Sequence, residues 1–149
     1  ECLIPEDMDA HVECRRRLPW QTLATGEHWY TPLPFAQAIQ HRVVDILQPD
    51  INWCGGVTVC QKIVHSAESA GLMTILHGGG NTPFGQHFTF AQPSMTWLET
   101  FVGTPPGVPP EEAGSLPGQA IPTEGWLIPN DAPGFGLEIE EEWLTPFFP

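Results

Sequence analysis

Four short polar motifs recur along this chain at the interval of one βα unit: Gly26-Glu27-His28, Gln48-Pro49-Asp50, His77-Gly78-Gly79-Gly80 and Trp97-Leu98-Glu99. Glu27 and Asp50 are 23 residues apart, Asp50 and His77 are 27 apart, and His77 and Glu99 are 22 apart. An apolar, strand-like run precedes most of them. A (β/α) barrel delivers one strand tip per repeat to its active face, and eight repeats in about 250 residues average roughly 31 residues each. The rhythm therefore predicts an acid, an acid, a histidine and an acid on four successive tips of a parallel sheet.

The segments between the motifs support that reading. Residues 7–18 suit a helix that Asp7 or Asp9 can cap, with Arg15, Arg16 and Arg17 in its last turn and Pro19 as its stop. The arginine run is read as a solvated helix end rather than an anion site. Trp20–Thr25 suits a short strand. Residues 34–41 suit a helix with Pro34 in its first turn. Val43–Leu47 is a mostly apolar run of the kind buried on both faces of a parallel sheet. After a tight turn at Gly55-Gly56, Cys60, Ile63, Val64 and Ala67 follow the i, i+3, i+4, i+7 pattern of an amphipathic helix, with Gly71 as its C-terminal cap. Leu72–Leu76 is the next expected strand, residues 82–91 a further helix, and Met95–Val102 a last strand carrying Glu99. Alternation of this kind means parallel βαβ units with right-handed crossovers. From Thr104 to Pro122 six prolines and three glycines predict an extended connection. Residues 125–144 are expected to form short strands around a Pro-Gly turn, with Glu140–Glu142 on a solvated edge.

Charge narrows the partners. The chain of 149 residues, enough for one domain, carries 18 acids against 5 bases, a net charge of −13, and no base beyond Lys62. Phosphate backbones and anionic bilayers demand clustered positive charge, so neither nucleic acid nor a membrane surface is an expected partner. No apolar run approaches the ~18 residues a spanning helix needs. Cys2, Cys14, Cys54 and Cys60 form no Cys-x-x-Cys pair and are read as buried, reduced thiols of a cytoplasmic protein. The chain opens on Glu1 without an initiator methionine and reads as starting mid-protein.

The chemistry of the motifs is specific. Asp50 and His77 fall on adjacent strand ends, about 4.8 Å apart at the backbone. A carboxylate there fixes the tautomer of the ring and stabilises its protonated form, leaving the other nitrogen as a general base and then a general acid. The alternative is a core histidine tied to a strand-end acid for structural reasons; the acids on the flanking strands favour the catalytic reading. Glu27 offers one oxygen ligand to a hard cation such as Mg2+, which alone is too few. Glu99, if kept protonated by burial, can donate a hydrogen bond to a developing oxyanion. Solvated strand-end acids, or an ion pair at Glu99, remain the alternatives for both. Together these groups suit abstraction of the proton next to a carboxylate, followed by loss of a neighbouring hydroxyl: dehydration of a hydroxy acid.

Across nearly its whole length the chain resembles the enolase superfamily, mandelate racemase subgroup. The match lies in Glu1-Cys2-Leu3, Thr25-Gly26-Glu27-His28, residues 45–50, Trp53-Cys54-Gly55-Gly56-Val57-Thr58, His77-Gly78, Glu99 and Pro133-Gly134-Phe135-Gly136. The resemblance implies a (β/α)7β barrel of the TIM type with an added capping domain, and one Mg2+ at the ends of its third, fourth and fifth strands. By motif, Glu27 is then the fifth-strand metal ligand, Asp50 and His77 the catalytic dyad of the sixth and seventh strands, and Glu99 the eighth-strand residue facing the enediolate. His28 lies beside the metal and contacts substrate. The implied substrate is a small sugar acid, dehydrated to a 2-keto-3-deoxy acid by a homo-oligomeric parent protein. Another sugar acid dehydratase or racemase of the subgroup, or a non-catalytic barrel fragment, is the alternative.

The chain also departs from the pattern. Glu1 aligns with the second of two consecutive acids at the fourth strand end, of which the first is the ligand. The third-strand aspartate and the capping domain have no counterpart. The expected fold is thus α/β, the C-terminal half of such a barrel. Residues 1–102 would be a partial barrel, from the end of strand 4 through about strands 5 to 8. Residues 103–149 would be a Pro/Gly-rich connection and an extension of short strands, packed on the barrel or the capping domain.

Overall fold

A computed structural model describes residues 2–109 and 116–145. The element order is α1 (Met8–Arg17), β1 (Ala24–Thr25), α2 (Leu33–His41), β2 (Ile46–Leu47), α3 (Gly56–Ser69), β3 (Met73–Thr74) and α4 (Pro83–Phe90), with 3-10 turns at Gly79–Asn81 and Glu141–Trp143. The three strands are parallel, in the order β1-β2-β3. Ala24 pairs with Ile46 and Ile46 with Met73; Thr25 pairs with Leu47 and Leu47 with Thr74. Helices α2 and α3 are the crossovers, as the alternating pattern predicts.

The helices begin and end where their sequences dictate. Asp7 caps α1 by accepting from the Ala10 N–H at 2.9 Å. Thr82 caps α4, accepting from the Gly85 N–H at 3.2 Å, and Pro83 occupies the first helical position. Helix α3 buries Cys60, Ile63, Val64 and Ala67, the stripe its periodicity predicts, and Gly71 at φ 71° terminates it. Helix α2 closes on a non-glycine residue, Arg42, in the left-handed region at φ 50°. The core joins that stripe to Trp29, Phe35, Ala38, Val43, Val44, Leu47, Ile51, Cys54, Leu76, Phe88 and Met95.

The ladder is shorter than the apolar runs but extends past the strands by single bonds. Asp45 N–H donates to Leu23 C=O at 2.9 Å, Gln48 N–H to Thr25 C=O at 2.9 Å, Ile75 N–H to Leu47 C=O at 3.0 Å and His77 N–H to Pro49 C=O at 3.1 Å. Pro49 has no N–H to give, and Gly26 at φ 135° leaves the extended conformation, so regular pairing stops there.

Three expectations need correction. Residues 95–102 form no regular strand: Gly80 N–H takes the Glu99 carbonyl at 2.8 Å, and the Asn81 side chain takes both the N–H and the C=O of Phe101, at 2.8 and 3.0 Å. Those are the groups a neighbouring strand would need. Residues 125–144 likewise hold no strand. A single antiparallel bridge links Thr123 and Trp126, Glu141–Trp143 is a 3-10 turn, and Gly125, Gly134 and Gly136 have φ of 84°, 68° and 69°. Here prolines remove donors, and Asn130 Nδ2 satisfies the Gly118 and Gly136 carbonyls at 2.9 and 3.1 Å. The solvated helix end fits Arg16 and Arg17, which pair with Glu13 at 2.8 and 2.6 Å, and the two guanidiniums hold the Glu13 carboxyl down at about 2. Arg15 is instead structural. It bonds the Val43 carbonyl at 3.3 Å and the Asp45 carboxylate, tying α1 to the segment entering β2.

Candidate active site

The register of the sheet places the candidate residues together. Glu27 lies two positions beyond β1, Asp50 three beyond β2 and His77 three beyond β3. Three tips therefore rise from one end of the sheet, with Asp50 and His77 in register and Glu27 one position short of them. Gly26 makes the first of them possible. A Cβ on Gly26 would lie 2.9 Å from the Phe35 ring and 3.2 Å from the Gln48 backbone nitrogen, so only glycine lets this tip pass so close to β2.

His77 is the centre of the site. Its Nδ1 lies 2.9 Å from Asp50 Oδ2, and its Nε2 lies 2.8 Å from Glu27 Oε2. Both contacts are hydrogen bonds only when each ring nitrogen carries a proton. Asp50 is itself fixed, because its Oδ1 accepts from the N–H groups of Asn52 at 2.7 Å and Trp53 at 3.3 Å. Its side chain is 14% exposed and the His77 ring 27%, so the pair is shielded yet reachable. The ring edge of His77 also meets Phe101, with centroids 5.4 Å apart. His28 sits on the outer side of Glu27, its Nδ1 3.4 Å from Oε1, and packs edge-on against Trp53 at 5.0 Å. Glu99 joins the group through the residues beside Asp50 and His77. Its Oε1 accepts from the Gly78 N–H at 3.2 Å and its Oε2 from Gln48 Nε2 at 3.1 Å.

All five sequence-expected residues, Glu27, His28, Asp50, His77 and Glu99, thus gather at one end of the sheet. Gln48 and Phe101 were not expected there. A signal for Gln48 exists in the sequence. Alternation along a strand puts positions 48 and 50 on one face, and Pro49 between them is fully buried.

Among the described residues no group of three or more His, Cys, Asp or Glu side chains is arranged to hold a metal ion. Glu27 is a single carboxylate, and a hard divalent cation needs several oxygen ligands. The donor set of this chain does not by itself make an Mg2+ site. The acid expected at position 1 lies outside the described residues.

The four cysteines are free. Cys54 and Cys60 are buried as expected and Cys14 partly so, whereas Cys2, at the start of the described chain, is exposed. The Cys60 thiol is pushed up, first by its hydrogen bond to Cys54 and then by burial, which keeps it protonated. It is a packing group and not a thiolate nucleophile.

Residues 1–143 match the enolase C-terminal domain-like family, and the chain belongs to it. This is a TIM-barrel-type α/β family, in agreement with the parallel sheet and its helical crossovers. Among curated relatives, the L-rhamnonate dehydratase of Saccharopolyspora erythraea is 34% identical over 145 residues, covering 95% of this chain and 37% of the relative. The crystal structure of L-rhamnonate dehydratase from Gibberella zeae is similar over 95% of this chain and 37% of its own, with a TM-score of 0.78 and 31% identity. L-talarate dehydratase from Polaromonas sp. JS666, solved with Mg and L-glucarate, covers 68% of this chain and 27% of its own at TM-score 0.59 and 33% identity. The chain therefore spans between about a quarter and little more than a third of the length of these relatives. No helix among the described residues is long and apolar enough to cross a membrane.

Proposed function

We propose that this chain is the proton-transfer part of a Mg2+-dependent sugar acid dehydratase acting on L-rhamnonate or a closely related acid. Residues 1–102 are its share of the barrel, about strands 5 to 7, with residues 95–102 running in the place of the eighth without regular strand pairing. Residues 103–149 are a connection and extension packed on the barrel or on a capping domain. The observation that carries this reading is the placement of His77 between Asp50 and Glu27, with Glu99 held by two donors on the neighbouring side.

In this reading Asp50 holds the Nδ1 side of the ring and compensates the charge that forms on it. His77 Nε2, on the far side from Asp50, would take the proton α to the substrate carboxylate once Glu27, which faces that nitrogen at 2.8 Å, is engaged by the metal instead. The ring then returns that proton to the departing β-hydroxyl, which leaves as water, and the enol product becomes a 2-keto-3-deoxy acid. Each oxygen of Glu99 keeps a lone-pair site that Gly78 and Gln48 do not use. A proton carried there is offered to the enediolate oxygen as charge develops. Exposed His28 is placed to meet a polar substituent of the substrate. Glu27 is assigned to the Mg2+ cofactor, with its other ligands supplied from sequence beyond this chain.

The test is a panel of sugar acids presented with Mg2+ to the full-length protein that carries this sequence. The assay measures 2-keto-3-deoxy acid formation by wild type and by His77→Asn. Turnover of at least one acid by wild type, lost in the variant, is the expected result; equal activity in both removes the dyad from the mechanism.

A second reading is a non-catalytic barrel segment, which would be favoured if the full-length protein encoded no further metal ligands upstream. The upstream reading frame discriminates. An aspartate and a glutamate at two successive strand ends there support the enzyme, and their absence supports the structural role.

A further inference from the structure

We propose that Gln48 is a positioning residue that holds the Glu99 carboxyl in working orientation and follows its proton; this rests on the role assigned to Glu99 above. The two residues are 51 positions apart, and the Gln48 side chain crosses from the end of β2 to reach Oε2 at 3.1 Å. The Gly78 N–H holds Oε1 at 3.2 Å. One donor on each oxygen fixes both the position and the plane of the carboxyl.

The base of this clamp is rigid. Gln48 N–H is bonded into the sheet through the Thr25 carbonyl at 2.9 Å, and Pro49 behind it is fully buried. Gly78 presents its N–H from the left-handed region at φ 57°, where a Cβ would lie 3.2 Å from the Phe101 ring. The strand tip that carries Asp50 to His77 therefore also carries the group that aims Glu99. One element sets the base and the acid relative to each other.

The choice of an amide has a chemical reason. A lysine at position 48 would favour the ionised carboxyl and oppose its use as a donor, and a second carboxylate would repel it. Glutamine carries a donor and an acceptor on one head group. It donates from Nε2 to an ionised Oε2. After an amide flip, its Oε1 accepts from a protonated Oε2. The same side chain thus holds Glu99 before and after proton donation, at no charge cost.

The experiment uses the Mg2+-loaded full-length protein with the acid found active in the panel. Three variants are compared: Glu99→Gln, Gln48→Met, which keeps length but loses both polar atoms, and Gln48→Glu. For Gln48→Met we expect kcat to fall about 10- to 100-fold, as for other groups that orient a working residue, with KM and Tm little changed. For Gln48→Glu we expect a comparable loss at neutral pH and recovery of kcat as pH falls, when the two facing carboxyls share one proton. The rest of the site is common to every variant, so the readout is the difference between the Gln48→Glu and Gln48→Met profiles. If Glu99→Gln is impaired while both position-48 variants keep wild-type kcat, the inference is overturned and the reading of Glu99 stands. Parallel pH profiles of the two variants, with kcat, KM and Tm falling together, mean a merely structural role and also overturn it. Full activity in Glu99→Gln overturns both.

Discussion

Replacing Asp50 by Asn separates the orientation of His77 from the shape of the site. Asp50 uses both oxygens: Oδ1 accepts from the N–H groups of Asn52 and Trp53 at 2.7 and 3.3 Å, and Oδ2 faces His77 Nδ1 at 2.9 Å. In Asp50→Asn the two backbone donors keep the carbonyl oxygen on their side, so the amide NH2 is the group turned to the ring. That NH2 can only donate, so Nδ1 must accept and the ring proton moves to Nε2. The nitrogen facing the substrate then already carries a proton and cannot take another without leaving the ring charged beside a neutral amide. A hydrogen bond to a charged group contributes about 1.5–3 kcal/mol and a neutral one about 1, so the altered contact alone loses about 0.5–2 kcal/mol, or roughly 2- to 30-fold. Adding the wrong tautomer brings the loss into the range of general-base catalysis as a whole, about 100- to 10,000-fold. Two assays follow. In the Mg2+-loaded full-length protein, with Glu27 assigned to the metal and so withdrawn from Nε2, 15N NMR of the His77 ring should show the neutral form moving from Nδ1–H to Nε2–H. In the full-length protein, exchange of the substrate α-proton with deuterated solvent should fall by that factor with little change in Tm. An unchanged tautomer, or exchange within about threefold of wild type when a loss of at least two decades is expected, refutes the reasoning.

Further predictions address the scaffold and the metal. Gly26→Ala puts a Cβ 2.9 Å from Phe35 at a φ of 135°, so backbone strain and overpacking together should cost about 2–5 kcal/mol, seen as a lower urea midpoint with unchanged slope; a change under about 0.5 kcal/mol would mean that the tip relaxes freely. The Leu23 N–H, and then the Arg15 guanidinium, hold the Asp45 carboxyl below its ordinary range. Its contribution is therefore present above the unfolded value near about pH 4 and lost as pH falls through the lowered folded value. The stability gap between wild type and Asp45→Asn should be no more than about 1 kcal/mol at pH 7 for this half-exposed pair and should close on acidification; a gap that widens in acid contradicts the assignment. Calorimetric titration of the 149-residue polypeptide alone should find Mg2+ binding weaker than about 1 mM, because Glu27 is a lone carboxylate. Micromolar affinity would show a ligand set that the described residues lack.

What the sequence made legible follows from the range of the interactions involved. Helix α3 was readable because its buried stripe is a local 3.6-residue pattern. The three strands were readable because short strand-like runs precede the motifs, most clearly the β-branched run Val43–Leu47. The spacing then brought Asp50 to His77, since adjacent parallel tips must meet. The Glu27–His77 contact was not legible, because it passes over the β2 tip to join strands that are not neighbours. Gln48 was read only as part of the Gln48-Pro49-Asp50 motif and given no role, because a neutral amide carries no titration or metal signal and its partner is 51 positions away. The expected strands at 95–102 and 125–144 failed for a related reason. Their backbone groups are taken by the side chains of Asn81 and Asn130, which pattern and propensity do not register. The expectation for Arg15 failed in the same way, since its carbonyl and carboxylate partners lie on segments far along the chain.

The central claim is that His77, oriented by Asp50, moves the proton next to a substrate carboxylate. Its most direct test is deuterium incorporation at that carbon, followed by NMR in deuterated buffer with Mg2+, for the full-length wild type and His77→Asn. Exchange by wild type that falls at least about 100-fold in the variant, with substrate still bound, is the predicted result. Equal exchange by the two proteins would contradict the account.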